Sequence, residues 1–453
     1  MKKIERRAIM CLLLAGALVI GLGIFCYKYI TDGSDWAVFT ANKQIYNNKG
    51  QLCVGTVRDA NKKVLLANRK TKMKFSKDSE IRKALVHTTG DKSGNITTGV
   101  NRVFASKMSG YNILTGTYSM EGKGRTINLT VDSSICVAAN EALDGRSGTV
   151  GVYNYQTGDI ICLVSSPNFD PKNPPDYDSA PSGAYINHFF SSVFTPGSIF
   201  KLVTAAASIE TKSDYASWEY TCTGSDDYGS TDRVTCQEAH GTVNLRQALA
   251  DSCNCYFGRL SQQLGPDLLE QYTKKAGLTR SLDINGVATK AGRFEFPKSG
   301  INLAWTGIGQ YMDLVNPCSM MVYMGAIANG GKAVYPKILD KVTFSSGIPA
   351  SFPGKQKTEQ MIEEHTASVL KKMMRNNVED HYGKENFPDL AICAKSGTAE
   401  VGKDKRPNAW FVGFLNDDAH PYAFIVLIEQ GGFGSQVAGS VANKVLQEVV
   451  DKY

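Results

Sequence analysis

Histidine is scarce in this 453-residue chain: there are six, isolated from one another. The sequence also lacks a zinc-finger spacing, an arginine-rich tract and any block of like charge, and its formal net charge of +7 is scattered. These absences argue against nucleic-acid binding, which needs a concentrated basic face. A mild positive charge is permissive for work beside an anionic cell envelope and indicates nothing more specific. Cysteine is present but does not pair off. Of 11 cysteines, Cys11 and Cys26 fall in an apolar N-terminal stretch. The odd number that remains argues against a complete disulfide scaffold. Cys222 and Cys236 flank a polar loop rich in Gly, Ser and Asp and form a candidate disulfide. Closing a loop of about 15 residues would stabilise the fold by ~3 kcal/mol if unstrained. Free thiols are the alternative. Cys253-Asn-Cys255 is too close-spaced for the usual zinc pair, so no structural metal is expected.

What is present begins with a membrane signal. Lys2, Lys3, Arg6 and Arg7 precede an uncharged, mainly apolar stretch from Ala8 to Tyr27. A helix of that length rises roughly 30 Å, the thickness of a bilayer core. A cleaved signal peptide would carry an apolar core of only about 7–15 residues. The reading is a cytoplasmic tail over 1–7, a single membrane anchor over 8–27, and everything after Lys28 outside the cell.

The remainder is too long for one typical domain. Residues 29–126 form a smaller polar region, in which Gly55–Ala67 reads as two short strands around Asn61. It carries no catalytic constellation and suits a pedestal or interaction module. Residues 127–453 read as one large domain. Ile127–Val131 is a short strand, and Asp132 or Ser133 caps a helix over Ile135–Leu143. Thr149–Tyr155 and Ile160–Val164 form a hairpin. Strands follow at Ala391–Lys395, Ala409–Phe414 and Tyr422–Ile428, before a last helix over about Val437–Val450. The first hairpin and the last three strands are far apart in sequence, with helices between them. One five-stranded sheet covered by helices on both faces is expected, an α+β arrangement.

Three short segments carry chemistry. Ser198-Ile-Phe-Lys201 follows Thr195-Pro-Gly and opens an apolar helical run. Ser198 is the predicted nucleophile, and a neutral hydroxyl needs a base within reach. Lys201 lies about one helical turn away and shares its face. Burial beside another cation would favour the neutral amine that can take the serine proton. Ser252-Cys-Asn254 places two polar side chains two residues apart in a tight turn. Ser252 is suited to relay a proton to a leaving amine, and Asn254 to hold a substrate amide and steady Lys201. Lys395-Ser-Gly-Thr398 ends a strand. Lys395, with the hydroxyls of Ser396 and Thr398, suits a terminal carboxylate. Gly397 would let a substrate approach the backbone closely. The backbone N–H groups of Ser198 and Thr398 are the expected oxyanion hole. Each segment alone is weak evidence, since serine caps and basic strand ends are common; their combination and order point to serine acyl transfer with a lysine base.

The three motifs resemble those of the penicillin-recognising serine enzymes, and the likeness is nearest to the class B penicillin-binding proteins. It extends over nearly the whole chain: Ile160–Asp170, Tyr185–Lys201, His240-Gly241, Gly307–Gln310, Ile327–Gly331 and Trp410–Gly413 all look familial. Two departures are modest. Ser396 stands where threonine is commoner and keeps the hydroxyl, and Ile199 replaces a small hydroxylated residue. The resemblance implies an α/β/α sandwich with a five-stranded antiparallel sheet, and peptidoglycan D,D-transpeptidation through a Ser198 acyl-enzyme. The implied partners are peptidoglycan stem peptides, β-lactams as covalent inhibitors, and a lipid-linked glycan polymerase in the membrane. No metal or organic cofactor is implied. The small N-terminal region resembles the Gram-positive type that serves elongation, division or sporulation. Competing readings use the same motifs with water as acceptor, as a D,D-carboxypeptidase or β-lactamase. A β-lactam sensor or a non-catalytic scaffold is the alternative of another class.

Overall fold

A computed structural model describes residues 2–39, 41–69, 72–113, 115–118, 123–229 and 232–453. Eleven strands build its two main sheets: β1 Thr56–Arg58, β2 Val64–Arg69, β3 Lys72–Phe75, β4 Thr126–Leu129, β5 Gly148–Asn154, β6 Ile160–Ser166, β7 Leu339–Thr343, β8 Pro349–Ser351, β9 Ile392–Ala399, β10 Asn408–Leu415 and β11 Tyr422–Ile428. The helices that matter for the site are α1 Lys2–Trp36, α2 Ser133–Leu143, α3 Lys201–Thr211, α4 Asn254–Lys275, α5 Pro317–Ala328, α6 Glu364–Asn377 and α7 Gly439–Lys452.

Helix α1 is long and apolar enough to cross a membrane by length and composition. It runs beyond Tyr27 to Trp36. Its polar last turns carry a Lys28–Asp32 ion pair at 3.0 Å, the i,i+4 spacing that faces along a helix. Tyr29 there donates from its hydroxyl to Ile113 O at 3.1 Å.

The smaller sheet has the order β8-β7-β4-β1-β2-β3. The β1–β2 hairpin turns through Lys62 in the left-handed region, φ +66°. Strand β4 pairs in parallel with β1 and antiparallel with β7. The sheet therefore takes strands from both sides of residue 126. A return strand some two hundred residues later cannot be seen from the local pattern of residues 29–126. Asp132 then caps α2, accepting from Ser134 N–H.

The larger sheet has the order β9-β10-β11-β5-β6, and every pairing is antiparallel. Strands β5, β10 and β11 are buried along almost their whole length, because both faces are covered. Gly325 of α5 lies over Tyr153, and Gly439 of α7 lies over Phe411, on opposite faces. A Cβ at Gly325 would sit 1.9 Å from the Tyr153 hydroxyl, so only glycine lets α5 approach so closely. Helix α2 packs on α7, while α3 and α6 share the α5 face. Strand β9 is left at an edge, with the site beside it.

Candidate active site

Ser198, the expected nucleophile, sits on a turn held by two hydrogen bonds. Gly197 adopts φ +57°, and its N–H donates to Gly309 O at 2.8 Å. Trp410 Nε1–H donates to Thr195 O at 2.9 Å. Residues Gly197–Ile199 form a 3-10 turn, and regular helix begins at Lys201 rather than at Ser198. Ser198 still precedes the N-terminus of α3, whose dipole favours a developing negative charge. The helix is almost entirely buried, and Ala205-Ala206-Ala207 let it pack closely. Lys201 is fully buried within it.

The second segment is an elbow between two helices. Asn244 and Gln247 form a reciprocal capping box that starts the helix Leu245–Ala250. After Asp251 the chain turns through Ser252 at φ +56°, and α4 starts with Cys253 as its cap. A left-handed serine costs on the order of 1–3 kcal/mol unless its surroundings hold it. The elbow brings Ser252 and Asn254 onto Lys201. Lys201 Nζ donates to Ser252 O at 2.6 Å, to Asn254 Oδ1 at 2.7 Å and to Ser252 Oγ at 3.2 Å. The Asn254 amide N–H in turn donates to Thr235 O at 2.8 Å.

The third segment lies within β9, not at its end: Lys395 pairs with Val412 and Thr398 with Ala409. Alternation along the strand directs Lys395 and Gly397 to the α3 face. Lys395 is fully buried, and its Nζ donates to Ser252 Oγ at 3.1 Å and to Ser396 O at 2.8 Å. Ser252 Oγ thus accepts from both lysines, which leaves its own proton free to point elsewhere. On an edge strand, backbone groups of alternate residues face away from the neighbour. Ser396 N–H faces out to Tyr382 Oη, so Thr398 N–H, two residues on, faces the same way. Gly397 also packs against the Ser198 turn. A Cβ there would meet Ile199 Cγ2 at 3.0 Å and Pro196 O at 3.1 Å. Its bareness lets the Ser198 turn dock on the strand.

Burial sets the electrostatics. Desolvation lowers the Lys201 pKa to about 8. Lys395 is held well below the ordinary lysine value, first by burial and then by the charge of Lys201. Neutral Lys201 has two N–H bonds and one lone pair. Donation to its two nearest acceptors, Ser252 O and Asn254 Oδ1, leaves the lone pair for an incoming proton, and the third donation, to Ser252 Oγ, belongs to the protonated amine. Ser198, Ser252, Asn254, Ser396 and Thr398 line one cleft of about 450 Å³.

Tyr382 is a residue that sequence reasoning missed. It lies in the irregular turn after α6 and has no motif of its own. Its hydroxyl accepts from Ser396 N–H at 3.0 Å and from Ser396 Oγ–H at 3.1 Å. Tyr382→Phe removes that acceptor while keeping the ring against Phe411. Loss of these two hydrogen bonds, at about 1 kcal/mol each, should slow acylation by fluorescent penicillin by roughly five- to thirty-fold. An unchanged acylation rate would assign the tyrosine to packing alone.

The expected Cys222–Cys236 disulfide is not formed. The sulfurs are 3.7 Å apart, and Cys236 Sγ is about as near to Cys253 at 3.8 Å and to Cys255 at 3.5 Å. Four thiols from three segments meet here, and local spacing could not show it.

Comparison with known proteins agrees with this geometry. The family model described as the penicillin binding protein transpeptidase domain matches residues 148–449. The peptidoglycan D,D-transpeptidase PbpA of Mycobacterium tuberculosis is 27% identical over 362 residues, covering 73% of this chain and 72% of that protein. Stage V sporulation protein D of Bacillus subtilis is 26% identical over 73% of this chain and 54% of its own length. The structure of penicillin-binding protein A from M. tuberculosis as a ceftriaxone acyl-enzyme superposes with a TM-score of 0.77. It is 22% identical, and the match covers 87% of this chain and 97% of that one. Three motifs converging on one cleft, on this sheet, with a family match over two thirds of the chain, have one common account: the chain belongs to the penicillin-binding protein transpeptidase family.

Proposed function

We propose that this protein is a membrane-anchored, serine-type peptidoglycan D,D-transpeptidase that also binds penicillin covalently. The observation that carries the reading is the buried Lys201 amine, tied to Ser252 and Asn254 at 2.6 and 2.7 Å and next to a second buried lysine. Burial lowers the pKa of this amine to about 8, which raises the share of neutral base beside a serine nucleophile, while the two acceptors hold the amine in place.

In this mechanism Ser198 Oγ attacks the carbonyl carbon of the penultimate D-alanine, and its proton passes to Lys201 Nζ. The backbone N–H groups of Ser198 and Thr398 hold the oxyanion. The amide C–N bond breaks as Ser252 relays the proton to the leaving nitrogen, and D-alanine departs as the free amine. The terminal carboxylate is held by Lys395 and by the hydroxyls of Ser396 and Thr398. The amine of a neighbouring stem then attacks the ester, giving up a proton along the same route, and Ser198 is restored. A β-lactam acylates Ser198 as a mimic of the donor. Helix α1 tethers the catalytic domain at the outer face of the membrane, beside a glycan polymerase that supplies nascent strands.

The test supplies full-length protein with a partner polymerase, lipid-linked precursor and a D-amino acid probe. Crosslinked dimers are the expected product, with the probe exchanged into the terminal position. A digest containing only trimmed monomers would instead support a D,D-carboxypeptidase.

A further inference from the structure

We propose that Cys222, Cys236, Cys253 and His240 bind one zinc ion in a closed tetrahedral site that fixes the Ser252–Asn254 elbow. The three sulfurs and His240 Nδ1 all lie within 4.8 Å of one another. Cys222 closes the strand Tyr220–Cys222, Cys236 follows the strand Arg233–Thr235, His240 precedes the strand Gly241–Val243, and Cys253 caps α4.

Three of the six ligand–ligand distances match tetrahedral edges, and the other three are within 4.8 Å. With Zn–S near 2.3 Å and Zn–N near 2.0–2.1 Å, tetrahedral edges are roughly 3.8 Å between sulfurs and roughly 3.5 Å from sulfur to nitrogen. Here Cys222 Sγ to Cys236 Sγ is 3.7 Å, Cys236 Sγ to Cys253 Sγ is 3.8 Å, and Cys222 Sγ to His240 Nδ1 is 3.5 Å. A disulfide requires about 2.05 Å and joins only two sulfurs. Cys236 is near three others, which suits an ion shared between them.

The surroundings are those of thiolate ligands. Asn254 and Cys255 N–H both donate to Cys236 Sγ, at 3.2 and 3.4 Å. Gly224 N–H donates to Cys222 Sγ and Tyr256 N–H to Cys253 Sγ, each at 3.4 Å. Four backbone donors aimed at three sulfurs are the outer shell that orients metal ligands and disperses their charge. Cys255 is turned to Val234 O at 3.6 Å and lies outside the ligand set. Binding displaces the three thiol protons to solvent and leaves the histidine neutral, with no redox step. Four protein ligands leave no open position, so the ion is structural.

Its consequence for the active site follows from Asn254. That residue donates to Cys236 Sγ through its backbone and to Thr235 O through its side chain, while its Oδ1 holds Lys201. Cys253 stands between Ser252 and Asn254. The ion would therefore clamp Cys222, Cys236 and His240 against the groups that orient the base.

The test begins with full-length protein purified in detergent without added metal. Elemental analysis should give about one zinc per chain, and X-ray absorption should show three sulfurs near 2.3 Å and one nitrogen near 2.0–2.1 Å. Removing the ion with a strong chelator should lower the melting temperature and slow penicillin acylation by about tenfold, the size of effect seen when support of a site is lost. Zinc(II) should restore both, and magnesium should restore neither. Cobalt(II) in its place should give a thiolate charge-transfer band, whatever the enzyme's reaction proves to be. His240→Ala should lose zinc affinity, while Cys255→Ser should keep it. Chain that takes up neither zinc(II) nor cobalt(II), or a His240→Ala protein with undiminished zinc affinity, would overturn the assignment. A mass two hydrogens lower with a Cys222–Cys236 crosslink and no metal would also overturn it.

Discussion

Ser198→Ala protein is expected to carry no fluorescent penicillin through denaturing electrophoresis, while the wild-type chain gives one labelled band. The reason is chemical rather than conformational. A stable label requires a bond to the nucleophile oxygen, and no neighbouring group replaces it: Ser252 Oγ already accepts from two buried lysines. Loss of the nucleophile in an enzyme whose groups act as a unit costs on the order of 10⁶-fold. The fold should survive, because the turn is held by Gly197 N–H on Gly309 O and by Trp410 on Thr195 O, neither of which uses the serine hydroxyl. An unchanged melting temperature would separate lost chemistry from lost structure. Equal labelling of wild type and variant would remove Ser198 from the mechanism, and Ser252 would become the nucleophile to test.

How much of this was legible in the sequence depended on how local each cause is. The β5–β6 hairpin is visible because alternation and a Thr157-Gly-Asp159 turn act within a few residues. The three motifs proposed to carry the chemistry are legible because that chemistry fixes residue types. What they touch was only partly legible. Asn254 Oδ1 accepts from Lys201 Nζ at 2.7 Å. Gly397 also admits Ile199 and Pro196, a contact between segments almost two hundred residues apart. Tyr382 carries no motif, since a tyrosine in an irregular turn is common and its hydroxyl gains meaning only beside Ser396. The joining of β7 and β8 to β4 is equally invisible to local patterning.

The cysteines show the same limit more sharply. Read as pairs along the chain, Cys222 and Cys236 suggested a disulfide and Cys253-Asn-Cys255 suggested nothing. Folding brings Cys253 and His240 to the same point as the first two. A four-ligand site assembled from three segments has no two-residue signature, so spacing rules built on local pairs pass over it.

Lys201→Met should slow penicillin acylation by about 10²–10⁴-fold, the range for removing a general base, while leaving Ser198 in place. Methionine keeps most of the buried volume, so the test is of the amine. The wild-type pH profile gives an independent reading. Burial brings the Lys201 pKa down to about 8, so the neutral form is a minority below that pH. The acylation rate should rise about tenfold per unit as pH increases towards 8 and level off above it, as expected for a base acting in its neutral form. Stability should move in the same direction at higher pH. The folded-state pKa lies below the ordinary lysine value of 10.5, so the unfolded chain binds the extra proton between about 8 and 10.5. Raising pH through that window therefore favours the folded state, while below about 8 the cost of charging the buried amine is already complete. Lys395 contributes in the same sense, because its own pKa is depressed by burial and by Lys201. In Lys201→Met the like charge is gone, so the remaining lysine should titrate at higher pH than in the wild type. The residual acylation of the variant should lose the rise towards pH 8. A wild-type rate that is flat between about pH 6 and 8 would show that Lys201 is not the group that accepts the Ser198 proton.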